Sequence, residues 1–260
     1  VGGRRRRDTR GPANGYQLLS LESPDAAPLF EFPDVTLCPP IFARNGQLVL
    51  YVAEDEDGNS RLGAREVDTG VELEMFGGVA NPGVFALSAD TDARHVLVAL
   101  AEETGSTTDY ALQLLQPEDP QDKPPTLPLD GRPIGIALSP NGQWAAALVA
   151  GAHIETPYLV TWDFENPPSP PISSLSLTDQ SILSSSPSRG SLSAGSVSRR
   201  IAIASDSQTL LMWNDHRLLG WDLPEQTTAN TNMPTASRVQ QFVQADDLLL
   251  TVTRPLRLWG

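Results

Sequence analysis

The chain has 260 residues, 40% of them apolar, with 23 Pro, 20 Gly and a net charge of −14. That length allows one large all-β domain or two ordinary ones with a real core. No apolar run approaches the ~20 residues of a membrane-spanning helix, and an acidic body argues against sequence-independent nucleic-acid binding.

The charge is uneven. Residues 1–10 carry five of the 18 basic residues and one of the 32 acidic ones, so the rest has a net charge of −18. Residues 1–15 have no apolar periodicity and read as a disordered Arg-rich tail. Arg4–Arg7 fits a solvated end first, with nuclear import, an acidic partner or a juxtamembrane position as the functional alternatives. No apolar stretch follows those arginines, so they are not a signal peptide. The chain begins at Val1 rather than Met, as expected of a fragment or a processed product. Cys38 is the single cysteine, so no intrachain disulfide is possible and a reducing compartment is expected.

Ordered sequence starts at Tyr16. YQLLSLE (16–22) and PLFEF (28–32) read as strands, and a unit then recurs. Its first strand runs into a polar turn: IFARNGQ (41–47), FALSADTDA (85–93), IALSPNGQ (136–143), IAIASDSQ (201–208) and FVQADD (242–247). A second strand starts at once: LVLYVAE (48–54), HVLVALAE (95–102), WAAALVA (144–150), TLLMW (209–213) and LLLTVT (248–253). A third follows a variable loop: RLGAREVD (61–68), YALQLLQ (110–116), YLVTWDF (158–164), RLLGWDL (217–223) and LRLWG (256–260). VELEMFG (71–77) and PPTLPLD (124–130) fit a ragged outer fourth strand, where Pro is tolerated at an edge.

Spacing supports the repeat. The turn positions Gly46, Ala93 and Gly142 are 47 and 49 residues apart, and Ser207 follows after 65. The Ser/Pro-rich stretch 165–198 accounts for the longer interval as a flexible insertion. Asn45-Gly46 and Asn141-Gly142 suit tight hairpins, because Asn and Gly tolerate positive φ. The short β-rich runs show no helical period.

Four antiparallel strands per ~45 residues is the blade of a β-propeller, and the sequence resembles WD-repeat β-propellers. The resemblance rests on Leu138-Ser139-Pro140-Asn141-Gly142-Gln143-Trp144, which looks like the family's turn between the first two strands. It also rests on Trp162-Asp163 and Trp221-Asp222 at the family's third-strand closure, with Trp259-Gly260 in the same slot. It covers residues 16–260. Val67-Asp68 and Leu115-Gln116 are taken to replace Trp-Asp in two units. The family's Gly-His pair has no counterpart, since His95, His153 and His216 fall at unrelated positions. Blades held by packing between sheets, without an Asp–His network, are therefore expected. The expected fold is an all-β propeller of four-stranded antiparallel blades. It should be an incomplete ring or a fragment of about six to eight blades.

No catalytic, cofactor-binding or metal site is assigned, and no cofactor is expected. Asp55-Glu56-Asp57-Gly58-Asn59 has alternating oxygen ligands but lacks the terminal Glu of a calcium loop, and it falls where a hairpin turn is expected. Three scattered His and one Cys make no zinc ligand set. No nucleophile elbow or phosphate loop is present. Gly77-Gly78 with Asn81-Pro82-Gly83 reads as an interblade turn. Glu102-Glu103 and Asp246-Asp247 say little in so acidic a chain. Trp144, Trp162, Trp213, Trp221 and Trp259 are expected to pack between blades rather than stack on a ligand. Ser169-Pro170 and Ser186-Pro187 are regulatory candidates, since a phosphate there would add negative charge facing Arg189, Arg199 or Arg200.

The expected function is a non-enzymatic scaffold that binds protein partners, in an intracellular, cytoplasmic setting, with no nucleic acid and no membrane span. The alternative is the propeller portion of a larger enzyme or of a membrane-tethered sensor.

Overall fold

A computed structural model of the chain describes residues 17–18, 30–32, 38, 40–54, 60–76, 83–118, 124–151, 158–165, 175–176, 201–213, 217–225, 227–234, 241–245, 248–252 and 257–259. Every regular element among them is a strand, apart from a single-turn 3₁₀ segment at Arg44–Gly46.

The first full blade is β3 (Ile41–Ala43), β4 (Leu48–Glu54), β5 (Ser60–Glu66) and β6 (Glu72–Leu73). The second is β7 (Val84–Ala89), β8 (Val96–Thr104), β9 (Thr107–Leu115) and β10 (Thr126–Leu129). The third is β11 (Gly131–Leu138), β12 (Trp144–Gly151), β13 (Tyr158–Asp163) and β14 (Leu175–Ser176). The fourth is β15 (Ile201–Ile203), β16 (Thr209–Trp213), β17 (Arg217–Asp222) and β18 (Thr227–Pro234). Each is a meander of antiparallel neighbours. Ahead of them β1 (Gln17–Leu18) pairs with β2 (Phe30–Glu31). After them β19 (Gln241–Ala245), β20 (Leu248–Val252) and β21 (Arg257–Trp259) form a three-stranded sheet. Among the described residues no ladder joins β1 or β2 to β19–β21, so no ring is closed.

The second strand of each blade is apolar on both faces, and the strand period of two decides which neighbour each side chain meets. On β8, Val96 and Val98 pack toward the first blade with Leu48, Leu50 and Val52 of β4. Leu97 and Ala99 point the other way, toward Ala145, Ala147 and Val149 of β12. The intervening β12 residues, Trp144, Ala146 and Leu148, meet Ile201, Ile203, Leu210 and Met212 of the fourth blade. A one-residue slip in any of these strands would exchange its two neighbours, so packing holds the register. The largest buried side chains include Leu48, Leu50, Leu97, Leu112, Leu159 and Leu210. Each contributes ~1.5–3 kcal/mol when removed from water.

The outer strands follow different logic, because they pair on one side only. Pro128 sits inside β10, at the sheet edge, where its missing N–H costs no ladder bond. Two outer strands were not legible in the sequence. β14 lies inside the Ser/Pro-rich stretch, pairing Leu175 with Leu159 and Ser176 with Tyr158. β18, TTANTNMP, carries no apolar alternation and pairs with β17 across a bulge between Leu218 and Gly220.

Candidate interaction face

The turns that join the first two strands of the second, third and fourth blades are built alike, while that of the first blade is a 3₁₀ turn with Arg44, Asn45 and Gly46 all at positive φ. In the second, third and fourth blades the amides of Ala93, Gly142 and Ser207 donate to the carbonyls of Asp90, Ser139 and Ala204, at 3.3, 2.9 and 2.9 Å. The amides of Asp90, Ser139 and Ala204 donate to the carbonyls of His95, Trp144 and Thr209, closing each hairpin. Each is a four-residue hairpin connection whose third residue is left-handed. That residue has φ +84° at Gly46, +56° at Ala93, +77° at Gly142 and +58° at Ser207. The four turn positions read from the sequence thus share positive φ, although two are not glycine.

Side chains satisfy the remaining turn donors. Asp90 accepts the amides of Arg94 (2.9 Å) and His95 (3.2 Å). The Ser139 hydroxyl oxygen accepts the Trp144 amide at 2.8 Å, and Asn141 Oδ1 accepts the Gln143 amide at 3.0 Å. Asp206 accepts the amides of Gln208 and Thr209 and the Thr209 hydroxyl at 2.6 Å. Burial alone would raise the Asp206 pKa, but these three donors outweigh it and hold the carboxyl below its ordinary value.

The turns also bond to one another. The Arg44 amide donates to the Thr91 carbonyl (2.7 Å), and the Thr91 amide to the Pro140 carbonyl (3.0 Å). The Asn141 amide donates to the Ser207 hydroxyl oxygen at 3.2 Å. Four blades are thereby tied turn to turn, always in the same direction. The ends of the third strands join the row: the amides of Val67, Phe164 and Leu223 donate to the backbone carbonyls of Gln47, Gln143 and Gln208.

Along this row lie two shallow depressions. One, of about 370 Å³, is polar and lined by Arg44, Asn45, Gln47, Asp92, Arg94 and Glu118. Arg44 donates to the Asp92 carbonyl (3.0 Å) and to Glu118 (3.1 Å). The other, of about 300 Å³, includes Phe42, Ala89, Leu138, Pro140 and Ile203, from the first-strand ends of all four blades. Phe42 is 59% exposed, a high value for a large apolar side chain.

Two sequence readings change. The ladder places Glu66 opposite Leu48 and Asp163 opposite the equivalent Trp144, so Arg65-Glu66, not Val67-Asp68, fills the first blade's Trp-Asp slot. Arg65 spans the Tyr51 ring at 5.9 Å and pairs with Glu72 at 3.7 Å in place of a buried Trp. The spacing count slipped by two because Val67 is apolar and Arg65 is not. The second change concerns His95, which was read as unconnected. Its Nδ1 lies 2.8 Å from Asp90 Oδ2, inside the turn of the second blade. Gly142 of the next blade comes close enough that a Cβ there would sit 2.6 Å from His95 Nδ1. No sequence signal pairs residues five apart across a turn with a glycine 47 positions away.

The other candidates fall as follows. Trp162 and Trp221 are 7% and 6% exposed and pack between blades, Trp162 toward the second and Trp221 toward the third. Trp144 is buried on the opposite side of the third blade from Trp162. Trp213 and Trp259 lie on β16 and β21. Leu115-Gln116 does occupy the Trp-Asp slot, since Leu115 pairs with Val96 as Trp162 does with Ala145. Glu102-Glu103 is exposed on the β8–β9 hairpin. The Arg4–Arg7 run, Asp55–Asn59, Gly77-Gly78, Asn81-Pro82, His153, His216, Asp246-Asp247, both Ser-Pro sites and Arg189, Arg199 and Arg200 lie outside the described residues. Among the described residues no three His, Cys, Asp or Glu side chains are grouped to hold a metal ion. No helix among them is long and apolar enough to cross a membrane.

Strand order, blade packing and turn geometry together define a β-propeller of the WD-repeat-like architecture. No protein-family model matches the chain, and no curated protein matches it. Solved structures do. The β-propeller domain of Cps50 (Swd1) from Myceliophteria thermophila is similar with a TM-score of 0.54 at 16% identity, over 87% of this chain and 65% of that one. A chain of a mitotic checkpoint complex is similar with a TM-score of 0.56 at 14% identity, over 93% of this chain and 66% of that one. The chain therefore spans just under two thirds of each, and at such identity the likeness is one of fold.

Proposed function

We propose that the chain is a non-enzymatic protein-interaction scaffold and that its row of blade turns is a docking face. The observation that carries this reading is the turn-to-turn bonding of Arg44, Thr91, Pro140, Asn141 and Ser207. It fixes charged and apolar groups from four blades in one stiff array, so a partner meets a preorganised surface and ordering costs little on binding. Phe42 supplies an apolar anchor, and Arg44, Asp92, Arg94 and Glu118 supply a mixed-charge rim, the usual anatomy of a protein interface. The single cysteine supports an intracellular, cytoplasmic setting.

The test is affinity capture on the immobilised chain, compared with a Phe42→Ala/Arg94→Ala variant and with an unrelated propeller. A protein retained by the wild type, lost on the variant and absent from the control supports the reading. Retention that is equal on all three columns refutes it.

A second reading rests on the chain's spanning just under two thirds of the propeller structures it resembles. It takes the chain as the propeller portion of a larger enzyme or of a membrane-tethered sensor. A catalytic or membrane-spanning segment encoded in the same reading frame would support it.

A further inference from the structure

A cleft of about 630 Å³ opens between the second and third blades, where β8 and β9 extend past the start of β11. Phe85 and Tyr110 form one wall, meeting edge to face with centroids 6.2 Å apart. Ala101 lies directly across the ladder from Tyr110, and Glu103 across from Thr108, two residues further out on the same face. Glu102 also lines the mouth. Neither Glu102 nor Glu103 has an ion-pair partner among the described residues, and both are exposed. On the β11 side the Arg132 guanidinium stands 5.9 Å from the Phe85 ring centre.

This wall already takes a cation. Arg132 shows that a guanidinium fits against Phe85, which leaves Tyr110 and Glu103 without one. An aromatic face beside a carboxylate suits arginine, whose flat guanidinium stacks on a ring while its N–H fork binds a carboxylate. The hairpin holds Glu102, Glu103 and Asp109 and no basic residue. Glu102 and Asp109 pair on the opposite face of the hairpin, so Glu103 is the carboxylate that shares a face with Tyr110. The net charge of −14 draws basic partners toward the chain as a whole.

We propose that this cleft receives an arginine side chain from a basic segment of a protein partner, held between Tyr110 and Glu103. The proposal rests on the scaffold reading but uses a surface separate from the row of turns.

The test is fluorescence anisotropy with a labelled Gly/Ser peptide containing two arginines, beside the same peptide with citrulline at both positions. The arginine peptide binds, and the neutral one binds about tenfold more weakly or not at all. Tyr110→Leu, which keeps apolar bulk and removes the ring, and Glu103→Gln each weaken binding about fivefold. Because Glu103 is exposed, its variant folds even if Tyr110→Leu does not. Glu74→Gln, the same charge change on an exposed residue of the first blade, leaves affinity within about twofold. Equal losses for Glu74→Gln and Glu103→Gln would reduce the effect to general charge attraction and overturn the proposal. So would failure of the arginine peptide to bind, or equal binding of both peptides. Capture that still depends on Phe42 and Arg94 would then leave the scaffold reading standing without this cleft.

Discussion

Gly142→Ala tests the joint between the second and third blades. Gly142 has φ +77°, and a Cβ built on it would lie 2.6 Å from His95 Nδ1 and 3.1 Å from Asp90 Oδ2. Two costs arise. An alanine in the left-handed region costs ~1–2 kcal/mol, partly offset by ~0.4–1 kcal/mol from the stiffer unfolded chain. The His95 ring must also move, which breaks its 2.8 Å bond to Asp90. Asp90 is 5% exposed and keeps its two amide donors, so it is weakened rather than orphaned. With His95 partly open to solvent, that loss is about 1 kcal/mol. The steric and backbone terms together come to about 2 kcal/mol, or a fall in melting temperature of roughly 4–8 °C for a chain of this size. Urea unfolding followed by tryptophan fluorescence reads the loss. The decisive comparison is the same substitution in a His95→Ala background, where the ring is gone and the cost should drop to about 1 kcal/mol or less. An identical cost in both backgrounds would show that His95 does not face Gly142 as described, and the interblade argument would fail.

Three further outcomes are expected. Gly63→Ala places a methyl against the Tyr51 ring, which meets Phe32 edge to face and lies under Arg65; it should cost ~1–3 kcal/mol by overpacking, and a thermal melt unchanged within error would count against that packing. Burial pushes the Cys38 thiol up to about 12, against the opposing pull of its backbone bond to Leu87, so the folded chain at pH 8 should react with a disulfide reagent about a thousandfold more slowly than the urea-unfolded chain; comparable rates would contradict its 2% exposure. The same shift makes stability fall as pH climbs above 9, because the folded state keeps a proton that the unfolded chain releases. Asp206 has the opposite sign: its lowered pKa contributes stability above 3.8 that is lost as pH falls through the folded value, so the stability gap between wild type and Asp206→Ala should narrow in acid, and a constant gap down to about pH 2.5 would refute its role as the turn's acceptor.

The likeness to solved propellers supplies fold and nothing finer. What distinguishes this chain lies in its own residues: the arginine over Tyr51 where a tryptophan would close the blade, the Asp90–His95 turn, and the aromatic cleft beside an acidic hairpin. Each is a local departure from the repeat, and departures in a repeat scaffold mark where blades differ in what they can bind.

Strand order within a blade and the shared turn were legible in the sequence, because each rests on local chemistry. The second strands read as continuous apolar runs, since blades cover them on both sides. Asn-Gly and Ser-Asp steps marked the turns; spacing found Ala93 beside Gly46 and Gly142, and the strand-and-turn pattern found Ser207, although neither is glycine. Outer strands such as β14 and β18 were not legible, because a strand paired on one side carries little hydrophobic signal. The slip at Arg65 has a related cause. A guanidinium lying over a ring fills a buried slot with a residue that reads as exposed. His95 against Gly142, Arg132 against Phe85 and the row of bonded turns required the tertiary structure. Their partners lie about one blade apart in the chain, and only the packing of blade on blade brings them within bonding distance.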